Sequence, residues 1–132
     1  MKRSTRKSLL IGAGVLAAIL ILFALGSRGS VPLLGGDDFI AKYKSTPNAV
    51  LLDVRTPAEY NAGHIATAIN IDYEDPSFED NIKKLDPSKT YFVYCRSGNR
   101  SSKAVLIMRR DNDRNLYELQ GGIISAPSLL QA

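Results

Sequence analysis

Two short apolar runs constrain the architecture more than anything else in the chain: residues 49–54, interrupted only by Asp53, and residues 91–94, which lead straight into Cys95. A strand that is apolar at successive positions leaves no face for water and must be covered on both sides. Helix signals alternate with the strand signals. Asp37 or Asp38 can cap a helix reaching about Lys44, and Thr56-Pro57 opens a short one carrying Glu59 and Tyr60. Asp75-Pro76 opens a third, with Phe78, Ile82 and Leu85 at helical spacing, and residues 101–110 form a fourth that ends on Arg109 and Arg110. Residues 68–71 and 116–119 supply two more strands. This alternation predicts an α/β fold, a small parallel sheet flanked by helices on both faces.

The N-terminus reads differently. Residues 9–25 run without a charge behind Lys2, Arg3, Arg6 and Lys7. That order fits a hydrophobic anchor in the cytoplasmic membrane, or a secretory signal cleaved after Gly26. The excess of bases before the segment predicts the N-terminus inside and the domain outside, in an extracytoplasmic or periplasmic setting. The expected division is therefore a basic and hydrophobic segment over 1–29, a linker over 30–36 and a folded domain over 37–132.

Charge removes one class of function. The formal net charge is +4, but residues 1–29 hold five bases and no acid, while the remainder sets 12 bases against all 13 acids. The domain itself lacks the clustered Lys and Arg of a nucleic-acid footprint, so no nucleic-acid partner is expected. With a single cysteine, no disulfide can form within the chain. No residues have metal-ligand spacing, and no cofactor is implied.

The chemistry concentrates in residues 91–102, Tyr-Phe-Val-Tyr-Cys-Arg-Ser-Gly-Asn-Arg-Ser-Ser. Here Cys95 ends a buried strand, a loop with Gly98 follows, and a helix then begins. Ligands of open α/β sheets bind at the carboxyl ends of the strands, and a helix N-terminus presents free N–H groups. Arg96 and Arg100 add cations, and the Ser97, Ser101 and Ser102 hydroxyls add donors. All of these favour the thiolate, the nucleophilic form of cysteine, and the same groups would hold an anionic substrate.

Cys-Arg-Ser-Gly-Asn-Arg-Ser resembles the active-site loop of rhodanese-like sulfurtransferases. Residues 51–60, followed by Gly63-His64-Ile65 and residues 68–71, are similar to that family's first signature, and residues 119–122 to its closing motif. Two departures stand out: Ala66-Thr67-Ala68 replaces a Gly-Ala pair, and no tryptophan follows Gly122. The resemblance implies a sulfurtransferase in which Cys95 takes a sulfane sulfur as a persulfide. A small anionic donor such as thiosulfate would supply it, and cyanide or a thiol would remove it. By position, Arg96, Ser97, Gly98, Asn99, Arg100 and Ser101 would form the substrate cradle. Asp53, Arg55 and Glu59 are expected to tie the strand end to the next helix, and His64 to belong to a structural turn.

Two rivals share these features. A cysteine phosphatase or arsenate reductase uses a Cys-x5-Arg loop, whereas Cys95 and Arg100 form the shorter Cys-x4-Arg, with less room for a tetrahedral anion. A non-catalytic sulfur-binding or sensing module would keep the fold without needing Cys95.

Overall fold

The structure, a computed structural model, describes residues 29–111 and 115–131. Its main sheet has five parallel strands in the order β1-β6-β5-β2-β4, formed by β1 (Leu33–Leu34), β2 (Ala49–Asp53), β4 (Ile69–Asn70), β5 (Thr90–Tyr94) and β6 (Asn115–Leu119). A second, two-stranded antiparallel sheet joins β3 (His64–Ile65) to β7 (Leu130–Gln131). The helices are α1 (Gly36–Ser45), α2 (Pro57–Ala62), α3 (Phe78–Lys83) and α4 (Asn99–Asp111), and two 3-10 turns, Ile123–Ser125 and Pro127–Leu129, follow β6.

Successive side chains of β2 and β5 enter opposite halves of the core, which explains the unbroken apolar runs. Leu52, Tyr91, Val93 and Cys95 pack with Phe78 and Ile82 of α3 and with Ala104, Val105 and Met108 of α4. Leu51, Phe92 and Tyr94 pack on the other face with Phe39 of α1, Ile65, Leu119 and Ile123. Phe92 is central there, edge-on to Phe39 at 5.5 Å and stacked on Tyr117 at 4.9 Å between ring centroids.

Several expectations are corrected. The segment 30–36 is more than a linker: Leu33–Leu34 adds an edge strand to β6, and Gly36 already begins α1. Asp37 and Asp38 do not cap α1, whose N-cap is Gly35. They lie in its first turn, where a carboxylate favours the positive end of the helix dipole. The last helix begins at Asn99, two residues earlier than expected, which brings its N-terminus closer to Cys95. Thr67 replaces a glycine of the resembling motif and adopts φ 71, with its hydroxyl 2.9 Å from that of Tyr43. The hydrophobic segment expected over 9–25 lies outside the described residues. Among those described, no helix is long and apolar enough to cross a membrane.

Candidate active site

Cys95 is the residue immediately after the central strand β5, and its side chain is 1% exposed. The chain then turns through Gly98 at φ 97, a left-handed conformation that residues with a Cβ rarely adopt. That turn aims backbone donors back at the sulfur. The Gly98 N–H reaches Sγ at 3.1 Å and the Ser101 N–H at 3.3 Å. Gly98 directly precedes the 13-residue α4 and Ser101 stands in its first turn, so the helix dipole adds to the same field.

The loop after β6 holds the cradle from below. Ile123 N–H donates to the Cys95 carbonyl at 2.9 Å, and Ile124 N–H to that of Arg96 at 3.0 Å. Gly122 passes directly under this segment; a Cβ added there would lie 2.4 Å from the Arg96 carbonyl oxygen and 2.6 Å from the Ser97 nitrogen. The Gly121-Gly122 pair, read from sequence as the end of a strand, is thus the floor of the cysteine loop.

Ser97 and Asn99 stand exposed at the rim with Arg96, and no ion pair among the described residues involves Arg96. Arg100 does not simply face outward. Its guanidinium makes two bonds to Glu59, Nη1 to Oε1 at 2.7 Å and Nη2 to Oε2 at 2.9 Å. Glu59 therefore leaves the expected grouping with Asp53 and Arg55. It sits on α2, whose N-cap Thr56 also binds it, and reaches across to the cysteine loop. The bidentate bond to Arg100 holds the Glu59 carboxyl down at about 2 against an ordinary 4.5. The stabilisation this implies is complete above the unfolded value and is lost as pH falls from about 4.5 to about 2. Urea midpoints are expected to drop over that window in the wild type and to stay flatter in Glu59→Gln; parallel curves would contradict the assignment.

Asp53 and Arg55 do form the expected pair, and it is buried. Oδ1 of Asp53 accepts from the Arg55 N–H at 2.9 Å and Nε at 3.0 Å, and Oδ2 accepts from Nη2 at 2.6 Å. Nη2 also donates to the Gly63 carbonyl at 2.7 Å. His64 stacks on Tyr60 at 3.8 Å between centroids, with Nδ1 donating to the Tyr60 carbonyl at 2.8 Å. None of these side chains makes a hydrogen bond to Cys95.

Ser101 differs from expectation. Its hydroxyl is buried behind the sulfur and donates to Glu118 Oε1 at 2.7 Å, while the thiol donates to Ser101 Oγ at 3.4 Å. A hydroxyl has one proton, and the buried carboxyl is the shorter and stronger acceptor. Glu118 was missed by sequence reasoning. Its one signal is an acid among the otherwise apolar residues 116–119, in a strand expected to be covered, where a charge needs a partner.

A family model described as "Rhodanese-like domain" matches residues 37–125. The chain is 42% identical over 72 residues to the thiosulfate:glutathione sulfurtransferase of Saccharomyces cerevisiae, covering 46% of this chain and 52% of that protein. It is 32% identical over 79 residues to a tRNA uridine(34) hydroxylase of Pelagibacter ubique, covering 59% of this chain but only 26% of the relative. The match thus spans about a quarter of the hydroxylase. Among solved structures, a rhodanese-related protein from Thermoplasma volcanium superposes with a TM-score of 0.64 at 32% identity, covering 74% of this chain and 91% of that one.

Proposed function

This chain belongs to the rhodanese-like domain family, and from that premise we propose that it is a sulfurtransferase working through a persulfide on Cys95. The observation that carries the reading is the pair of backbone N–H groups, from Gly98 and Ser101, converging on Sγ at the end of the central strand. These donors are fixed by the fold before any substrate arrives, which is what electrostatic stabilisation requires.

The donor is a small anion of the thiosulfate class. The Cys95 thiolate attacks its outer sulfur, a new S–S bond forms, the bond within the donor breaks, and sulfite leaves with the electron pair. The persulfide then carries one negative charge on its outer sulfur, at the mouth of the same cradle. A thiol or cyanide attacks that atom, and Cys95 returns as the thiolate. Arg96, exposed at the rim, is the side chain placed to attract the incoming dianion. Arg100, shared with Glu59, mainly braces the loop. The naming of one relative as a thiosulfate:glutathione sulfurtransferase supports a thiol as acceptor. The proposed location outside the cytoplasmic membrane rests on the sequence of residues 1–25 alone.

Mass spectrometry after thiosulfate treatment is expected to find one added sulfur on the Cys95 peptide. Cys95→Ser should lose that addition and reduce thiosulfate:cyanide transfer to background. An unmodified peptide, or full activity in Cys95→Ser, would overturn the reading.

A further inference from the structure

Glu118 is the one buried carboxylate among the described residues without a cationic partner. It is 4% exposed, whereas Asp53, also buried, is paired with Arg55. Among the described residues, none of the groups registered beside it or bonded to it carries a charge. In β5 it is registered beside Val93, and in β1 beside Leu33. Tyr91, further along β5, turns its hydroxyl to the Asp86 carbonyl. From α4 it meets Ser101, while the Arg100 guanidinium is bound to Glu59 and the Lys103 residue is exposed. Burial raises the Glu118 carboxyl above the ordinary range, with the Ser101 bond opposing this in part.

We propose that Glu118 and Cys95 share one proton through the Ser101 hydroxyl, which makes Glu118 the positioning residue that governs when Cys95 becomes a thiolate. The contacts run in sequence, Sγ to Ser101 Oγ at 3.4 Å and Oγ to Glu118 Oε1 at 2.7 Å. With Glu118 ionised, the Ser101 proton points to the carboxylate, so Oγ can only accept from the S–H and the thiol is favoured. In the alternative state the S–H bond breaks and its proton passes to Oγ, while the Ser101 O–H proton passes to Oε1. Protonated Glu118 then donates to Oγ, and Oγ–H donates to the thiolate. No electron is transferred, and the pocket holds one negative charge in both states. The charge only moves, from the carboxylate to a sulfur that already faces two N–H donors. Ionisation without Glu118 as acceptor would instead place a second negative charge in the same buried pocket, which is costly there.

The inference rests on the sulfurtransferase reading for the value of a thiolate, but its test does not. The rate of Cys95 alkylation by iodoacetamide is measured against pH. Glutamine mimics the protonated acid and can donate to Ser101, so Glu118→Gln is expected to move the midpoint to lower pH by about one unit or more, the scale of coupled sites. In a Ser101→Ala background the same substitution should move it by less than half as much. A midpoint unmoved or raised by Glu118→Gln, or an equal shift in both backgrounds, would overturn the proposal. If Glu118→Gln does not fold, carbon-13 NMR of the Glu118 carboxyl in the intact chain decides. Two titration steps in the wild type and one in Cys95→Ser are expected, and identical single-step curves would refute the sharing. Neither experiment reads sulfur transfer. A chain that alkylates as expected yet takes no sulfur from thiosulfate would sink the proposed function and leave the shared proton standing.

Discussion

Gly122→Ala is expected to cripple the cysteine loop. Gly122 sits at φ 64 and ψ −171, a region open in practice only to glycine, where another residue costs of order 1–3 kcal/mol for the backbone alone. The added Cβ would also lie 2.4 Å from the Arg96 carbonyl oxygen and 2.5 Å from its carbon, and these are backbone atoms that cannot swing away. Either the Arg96–Ser97 peptide moves, taking the Gly98 donor out of line with Sγ, or the turn after β6 opens and loosens the Ile123 and Ile124 bonds. Both routes damage the site and the fold together. For a domain of this size each kcal/mol lowers Tm by about 4–8 °C, so a fall of roughly 10 °C with transfer reduced at least ~10-fold is expected. Calorimetry and the thiosulfate:cyanide assay check it. Wild-type Tm and activity in Gly122→Ala would mean that the loop has slack the geometry denies.

The second large effect lies on the opposite side of β2 from the cysteine's packing partners. Asp53→Ala removes the carboxylate that accepts from the Arg55 backbone N–H, Nε and Nη2, leaving a guanidinium with only 6% side-chain exposure, the Gly63 carbonyl as its remaining hydrogen-bond acceptor and the Tyr94 ring 5.6 Å away. Breaking one side of a buried pair costs about 3–5 kcal/mol, because the other charge is stranded. A domain holds only about 5–15 kcal/mol in total. Asp53→Ala should therefore shift the urea midpoint by at least ~1 M, given m-values of about 1–3 kcal/mol/M. The double variant Asp53→Leu/Arg55→Met, which removes both charges, should recover a large part of the loss. A loss below about 1 kcal/mol in Asp53→Ala would place the pair among ordinary surface contacts. No hydrogen bond among the described residues joins the pair to Cys95, whose sulfur is bonded by Gly98 and Ser101 instead, which makes this a stability effect: activity per folded molecule should stay near wild type.

These two cases mark how far the sequence reaches. The parallel α/β sheet was legible because Leu51-Leu52 and the run from Tyr91 to Tyr94 leave no wet face, and that needs no knowledge of the partners. The place of Cys95 was legible for a related reason. A buried strand followed by a glycine loop and a helix start brings the chain's next residue to the carboxyl edge of the sheet. The Asp53–Arg55 pair was within reach because its partners stand two residues apart.

Contacts between segments distant in sequence were decided only by the tertiary structure. Glu59 bonds Arg100 across 41 residues, and Glu118 bonds Ser101 across 17. Arg100 reads from its place in the cysteine loop as a cation for an anionic donor, yet in the folded chain its charge meets a carboxylate delivered by α2. Likewise a serine in a cysteine loop reads as a donor to sulfur until a buried acid on a neighbouring strand claims its only proton. Periodicity and local turn chemistry depend on side-chain type and on neighbours a few residues away, so one sequence determines them. Which donor meets which acceptor depends on the register of β6 against β5 and on where α2 and α4 settle. Those are set by packing of the whole core, and no local pattern encodes them.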